Sequence, residues 1–258
     1  MPGVTAEIED RKELGRVARI TLDNTAKLNI INTPLIRELT RTIESFKGDE
    51  ALRVMILTGA GDQAFIGGVD INEMARLDPS MAAPFISSVH GICAAIREVP
   101  VPVIARISGY CLGGGLEIAA ACDMRAAGSH SMFGMPEVKV GLPSVIEAAL
   151  LPRLIGWGKA REIIYTGRYL SASEALECGL VERVVPREEL DGAVEEWVEA
   201  IFAAAPRAIR LQKELIRHWE KLPIDEAIEK GIEVYARAYE TDEPMTYMKK
   251  FLDRRKGG

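Results

Sequence analysis

Two isolated carboxyl groups and two glycine-rich junctions are the residues of this chain best suited to chemistry. Glu117 closes the stretch Gly109-Tyr110-Cys111-Leu112-Gly113-Gly114-Gly115-Leu116-Glu117, which runs on through Ile118-Ala119-Ala120-Ala121-Cys122-Asp123. An apolar, β-branched run at 101–107 precedes it and an Ala-rich helical pattern follows, so the three glycines sit where a strand turns into a helix. Glycines there let backbone approach a ligand with no Cβ in the way. The free N–H groups of a first helical turn carry roughly half a positive charge, which suits a developing oxyanion. An Ala-rich helix is expected to be buried, and a buried acid needs a reason. Glu137 is the second isolated acid. It follows Pro136 in a passage dense in Gly and Pro. On local grounds Glu137 reads as a surface turn residue, and three glycines before a helix more often make a tight turn than a catalytic junction. What shifts the balance is a second junction of the same kind, Gly59-Ala60-Gly61-Asp62-Gln63-Ala64-Phe65-Ile66-Gly67-Gly68-Val69-Asp70, which also ends in a helix start. Neither junction has the spacing of a dinucleotide fingerprint or a phosphate loop.

Composition narrows the partners. The 258 residues are 48% hydrophobic and 27% charged, as in one large globular domain or a core with an appendage. A net charge of -6 argues against a generic nucleic-acid or anionic-membrane binder, so neither partner is expected. Cys93, Cys111, Cys122 and Cys178 show no Cys-x-x-Cys spacing, and His90, His130 and His218 are scattered. Buried thiols in a reducing compartment and no metal site are the expectation. The N-terminal residues show neither a secretory nor a transit pattern, and no run reaches ~18 apolar residues, which places the protein in the cytoplasm.

The elements that must position these residues follow from periodicity. Strands are predicted at 5–8 and 17–22, pairing as a hairpin, with Ala18, Ile20 and Leu22 on one face. After a polar loop at 23–29, Asn32-Thr33-Pro34 starts a helix whose stripe is Leu35, Leu39, Ile43 and Phe46. A strand at 54–58, a helix at 79–97 and a strand at 99–107 come next, the last confined by its two early prolines to an edge or to the lead-in of a sheet. The order strand, glycine loop, helix thus appears twice, which points to stacked β-β-α turns. A short strand at 123–127 and a last strand at 180–185 complete the sheet, with Ser171-Ala172-Ser173-Glu174 a capping box between them. Helices at 188–204, 206–222, 224–239 and 244–255, divided by Pro206, Pro223 and Pro244, form a tail whose apolar faces need a partner subunit. The basic end, Lys249-Lys250-Phe251-Leu252-Asp253-Arg254-Arg255-Lys256, is either a solvated helix terminus or positive charge for an anionic ligand.

Together these residues resemble the crotonase superfamily of enoyl-CoA hydratases and isomerases. Ala64-Phe65-Ile66-Gly67-Gly68-Val69-Asp70-Ile71 is similar to that family's first oxyanion motif, Gly109 to Asp123 to its Gly-Tyr-x-x-Gly-Gly-Gly-x-Glu segment, and Phe133-Gly134-Met135-Pro136-Glu137 to its Phe-Gly-x-Pro-Glu. The resemblance covers nearly the whole chain. It implies an α/β fold in which a spiral of β-β-α turns, residues 1–200, carries the site, and a C-terminal helical region, 201–258, makes trimers or dimers of trimers. Acyl-CoA thioesters are the implied ligands, with no metal or other cofactor. Position by position, the N–H groups of Val69 and Gly114 correspond to the pair that binds the thioester oxygen, and Glu117 and Glu137 to the two acids that add water to the double bond. Lys27, Leu28, Gly68, Asp70, Ile71, Gly113 and Phe251 correspond to substrate and CoA contacts. One segment departs from the pattern. Many hydratases follow the second acid with Pro-Gly-x-Gly-Gly-Thr, where this chain has Leu142-Pro143-Ser144-Val145-Ile146-Glu147-Ala148-Ala149.

The leading reading is therefore hydration of a 2-enoyl-CoA. An isomerase, decarboxylase or thioesterase of the same family is the nearest alternative, and isomerases characteristically lack an acid at the position of Glu117. A non-catalytic interaction or RNA-binding member is the alternative from another class, and net acidity and the two acids weigh against it.

Overall fold

The computed structural model describes residues 2–256, with side chains through Asp253. A hairpin of β1 (Gly3–Asp10) and β2 (Arg16–Asp23), paired from Gly3↔Asp23 to Asp10↔Arg16, opens the chain. Helix α1 (Thr33–Glu44) follows. The Asn32 side chain accepts the Leu35 N–H at 3.1 Å, Pro34 needs no partner in the first turn, and Leu35, Ile36, Leu39 and Ile43 form its buried stripe.

Three β-β-α turns then succeed one another. The first holds β3 (Leu52–Gly59), β4 (Ala64–Ile66), α2 (Ile71–Met74) and α3 (Pro79–Glu98). The second holds β5 (Val103–Ile107), β6 (Tyr110–Leu112) and α4 (Gly114–Ala121). In the third, β7 (Met124–Gly128) and β8 (Met132–Gly134) lead through short 3-10 turns into α5 (Leu151–Thr166). Each turn sends its first strand to one sheet and its second to another. The large sheet runs β1-β2-β3-β5-β7-β10 and is parallel from β2 onward, with β10 (Arg183–Val185) at its far edge. The small sheet runs β4-β6-β8-β9, parallel but for β9 (Tyr169–Ser171). Parallel strands stacked in two registers make a spiral, and equivalent junctions of successive turns lie side by side.

The small sheet was not legible in the sequence. β4, β6 and β8 have three residues each, too few for an alternating pattern, so the run at 101–107 was expected to turn directly into the Gly113–Gly115 helix start. β6 intervenes. The β5 strand is interior, between β3 and β7, because Pro100 and Pro102 precede its ladder. Nor does β2 bury one face alone. Ala18, Ile20 and Leu22 enter the main core, while Val17 joins Val54, Ile56, Ile104 and Ala126 beneath α7 (Leu190–Ala203). Helix α3 also corrects the expectation about apolar runs: an 18-residue window of its 20 residues has a mean hydropathy of 1.3, enough by length and composition alone to cross a membrane. Ile86, Ile92, Ile96, Val89 and Phe85 carry that mean. In the fold, its Val89, Ile92, Cys93, Ala95 and Ile96 belong to the main core.

After α6 (Ala172–Glu177) and the sheet-covering α7, which contains residue 200, come α8 (Pro206–Trp219), α9 (Ile224–Ala238) and α10 (Glu243–Lys256). Leu211 and Leu215 of α8 pack with Val234 of α9 in a small core of their own. Two side chains of α8 tie this tail to the spiral: Arg210, which donates to Asp49 O, Glu50 O and Leu52 O, and Lys213, whose buried ammonium donates to Ile96 O at 3.2 Å, Val101 O at 2.8 Å and Asp123 Oδ2 at 2.8 Å. Asp123 also accepts the Val103 N–H at 2.7 Å. Burial lowers the pKa of Lys213, and the Asp123 carboxylate opposes that shift. Lys213→Met keeps the length of the side chain and removes all three bonds. We expect it to cost about 3 kcal/mol, the scale for breaking a buried ion pair, read as a lower urea midpoint with an unchanged slope; an unchanged midpoint would show that the pair does not fasten the tail.

Candidate functional site

The N-terminus of α4 is the centre of the site. Gly113 takes φ 53 and ψ −125, a backbone shape that side chains disfavour, and a Cβ there would lie 2.5 Å from Glu137 Oε1. The Glu137 carboxyl therefore rests against the start of α4. A Cβ on Gly114 would lie 2.8 Å from Val69 Cγ2, which places the first-turn and second-turn junctions in contact. Val69 is held by Ile31: the Ile31 N–H donates to Gly68 O and the Asp70 N–H to Ile31 O, both at 2.9 Å. A parallel bridge of this kind turns the Val69 N–H to the opposite side. Among the described residues neither that N–H nor the one of Gly114 donates to another backbone group. Two unpaired donors at the start of a buried helix form a place for an oxygen that gains negative charge.

Glu117, one turn into α4, is 3% exposed. Its Oε1 accepts the Ala148 N–H at 3.2 Å. Burial, reinforced by the neighbouring Glu137 charge, pushes its pKa up to about 8, against the pull of the Ala148 bond. Glu137 begins the 3-10 turn Glu137–Val140, which Gly141 ends in the left-handed region. Burial raises its pKa as well, while Ser144 Oγ, donating to Oε2 at 2.8 Å, works the other way. Two half-insulated carboxyl groups beside one oxygen-binding corner can share a proton, one giving while the other takes. The local expectation that Glu137 is a solvated turn residue is thereby corrected: tertiary contacts with Gly113 and Ser144 enclose it.

The remaining expected residues divide. Lys27 and Leu28 lie in the 24–30 loop, and the Gly67 N–H donates to Leu28 O at 2.9 Å, so this loop borders Gly67, Gly68 and Val69. Its shape is fixed from below by Asn29, whose buried amide donates to Ala60 O and Ala64 O at 2.9 and 2.7 Å. The Asp70 side chain is the N-cap of α2, its Oδ1 accepting the Asn72 N–H at 2.8 Å, and Ile71 beside it is exposed. Phe251 is more than half exposed on α10, outside the elements that carry Glu117 and Glu137. Of the basic end expected to meet an anion, Lys249 and Lys250 are exposed on α10, and the charged groups of Arg254, Arg255 and Lys256 lie outside the described residues. Among the described residues no three or more His, Cys, Asp or Glu side chains gather as a metal site would require.

The far side of the site is not marked in the sequence. Ser144 bonds Glu137 and Ala148 bonds Glu117 from within the segment that departs from the family pattern. Ile146, at φ 37, is a β-branched residue held in the left-handed region, a genuine outlier of the sort that clusters at functional sites. Glu147 next to it is buried and pairs with His90, Nδ1 to Oε1 at 2.8 Å. The available signal was an acid in the otherwise apolar run Val145-Ile146-Glu147-Ala148-Ala149-Leu150-Leu151.

Residues 12–257 match the family model described as enoyl-CoA hydratase/isomerase. A short-chain-enoyl-CoA hydratase of Clostridium acetobutylicum is 34% identical over 94% of this chain and 93% of its own. A putative enoyl-CoA hydratase/isomerase of Bacillus subtilis is 38% identical over 93% of this chain and 89% of its own. Among solved structures, an enoyl-CoA hydratase from Bacillus anthracis superposes with a TM-score of 0.90 at 32% identity, covering 96% of both chains.

The raised pKa of Glu117 has a consequence for stability. Its value moves from 4.5 in an unfolded chain to about 8 in the fold, so the stability it allows is present below 4.5 and is lost as the pH rises through 8. Each unit is about 1.4 kcal/mol. Glu117→Gln, which cannot ionise, should therefore gain on the wild type by a few kcal/mol, on that scale, between about pH 5 and about pH 9. Urea unfolding across that range measures it. A gap that stayed flat would mean that Glu117 ionises in the fold as it does in the unfolded chain.

Proposed function

This chain belongs to the enoyl-CoA hydratase/isomerase family, and from that membership we propose that it is a 2-enoyl-CoA hydratase acting on acyl-CoA thioesters. The observation that carries the proposal is the pair of enclosed carboxyl groups, Glu117 and Glu137, at the corner where the Val69 and Gly114 N–H groups are unpaired. Those two N–H groups are the proposed oxyanion hole. They bind the thioester oxygen as the α,β double bond takes up water and charge moves onto that oxygen, and each such donor is worth about 10²–10³ in rate.

Two acids are needed because two protons move. Glu117 as carboxylate takes a proton from the water that attacks the β-carbon, and Glu137 as neutral acid gives one to the α-carbon. Burial and the Ser144 bond favour the opposite distribution at rest, with the shared proton on Glu117. That state serves the reverse reaction, in which Glu117 protonates the departing hydroxyl and Glu137 removes the α-proton. Hydration begins once the proton has left Glu117. The chemistry we propose uses only groups of this chain and calls on no metal or redox cofactor. An isomerase shuttles one proton and has no use for the second acid. The short-chain substrates named for the Clostridium relative are the first to test.

Assembly is part of the proposal. Trp219, Leu222, Ile224, Ile228, Ile232 and Tyr235 line an apolar groove of 690 Å³ along α8 and α9, too apolar for a surface left to water. We assign it to contacts in a homotrimer or dimer of trimers. All four cysteines are free thiols, which fits a cytoplasmic protein.

Two measurements test this function. In analytical ultracentrifugation at micromolar concentration the protein should sediment as a trimer or hexamer; a monodisperse monomer counts against the assembly. Glu117→Gln and Glu137→Gln should each slow loss of the conjugated-thioester absorbance by about 10²–10⁴, with the double variant scarcely slower than either. Glu137→Gln should also abolish exchange of the α-proton with deuterated water. Hydration at the wild-type rate by Glu117→Gln would remove the hydratase reading.

A further inference from the structure

Behind Glu117 lies a third carboxyl group to which the two-acid chemistry assigns no task. Glu147 is 7% exposed, on the 3-10 turn Ile146–Leu150, and the backbone N–H of the next residue, Ala148, is the one bonded to Glu117 Oε1. A buried carboxylate normally has Arg or Lys against it. Among the described residues the ion-pair partner of Glu147 is His90 of α3, through Oε1, and its Oε2 is buried without a hydrogen-bond partner. The His90 side chain is 52% exposed, so this pair spans the distance from the interior to water. The titratable groups facing it are few: Cys93 one turn along α3, Glu117 on α4 and Glu137 beyond. Burial, then the charge of Glu147 and a hydrogen bond to it, push the Cys93 thiol well above its usual range, so it stays a thiol beside Glu147. A left-handed Ile146 holds Glu147 in place at a conformational cost, as expected where geometry serves a task.

We propose that Glu147 and His90 form a proton relay that connects Glu117 with solvent during turnover. The proposal rests on the hydratase reading. When water adds, its O–H bond breaks, the C–O bond forms at the β-carbon and the proton goes to Glu117. The O–H bond of Glu137 breaks as the C–H bond forms at the α-carbon. Each cycle therefore ends with Glu117 neutral and Glu137 ionised, and the next needs one proton out and one in. The unpartnered Oε2 of Glu147 receives the proton released by Glu117. The Glu147–His90 pair holds one proton between Oε1 and Nδ1; as Oε2 takes up the proton from Glu117, the bridging proton settles on Nδ1, the imidazolium gives its Nε2 proton to water, and rotation of the carboxyl and the ring, now both neutral, restores the bridge. No electron pair changes owner other than those of the O–H and N–H bonds, and nothing is oxidised. Glu147 and His90 touch no substrate in this scheme and act through Glu117.

His90 is half exposed, so His90→Gln tests the relay with little risk to the fold, which an unchanged urea midpoint would verify. At saturating 2-enoyl-CoA and low buffer concentration, kcat should fall about tenfold or more while KM stays near the wild-type value. Added imidazole should restore kcat in proportion to its concentration, whereas the wild type should ignore it. Glu147→Gln should lose kcat in a way imidazole cannot repair, because the break then lies inside the protein. A wild-type kcat in His90→Gln at low buffer, or a loss that imidazole leaves untouched, overturns the relay. A wild type that hydrates no enoyl-CoA would instead remove the hydratase reading, and the two failures are thus told apart.

Discussion

A carboxyl group sealed in the first turn of a wholly buried helix is the constraint on which the rest of this structure depends. Every residue of α4, from Gly114 to Ala121, is buried, so Glu117 has no access to bulk water from its own helix. Its solvation must come from the surrounding fold, as the Ala148 N–H and the positive end of α4. This explains why several otherwise unfavourable features converge there. Gly113 is bent so that Glu137 can lie close, Gly114 is bare so that Val69 can approach, and Ile146 is strained so that Ala148 can reach in. None of these is favourable by itself. Each becomes understandable once an ionisable group has to be kept both enclosed and usable.

The tail meets the same demand for partners by another route. Lys213 is as deeply enclosed as Glu117, but it has a full set of acceptors in Ile96 O, Val101 O and Asp123. Its charge is structural and is held in place. Glu117 is met by backbone N–H groups rather than by a cation and faces a second acid, so its charge is easily moved. The contrast between a satisfied and an under-satisfied buried ion separates a fastener of this molecule from its reactive centre.

Long elements with strong periodicity were legible in the sequence: the hairpin, α1 with its Asn32 cap, α3, the Ala-rich α4 and the proline-divided tail. Both glycine junctions were legible too, and the resemblance of three ordered motifs brought Val69, Gly114, Glu117 and Glu137 to one place. The small sheet was not, since strands of three residues carry no period and owe their pairing to the stacking of the turns. Residues whose importance arises from tertiary neighbours were equally hidden. Ser144 reads as a polar loop residue until Glu137 is seen at 2.8 Å, and the cap that Asp70 gives to α2 shows only in the structure. The 142–149 segment was visible only as a departure, because a left-handed isoleucine is not something that local propensity predicts.

The spiral also sets when in folding a site can exist. Val69 belongs to the first β-β-α turn, Gly114 and Glu117 to the second, and Glu137 and Ala148 to the third, and parallel pairing allows none of these to meet until the intervening crossover has closed. Local contacts can therefore build α1, α3 and the hairpin early, yet no partly assembled chain holds two carboxyl groups at one corner. Without its third turn the corner lacks both Glu137 and the Ala148 N–H, so the site is a property of the wound spiral and of no shorter piece of it.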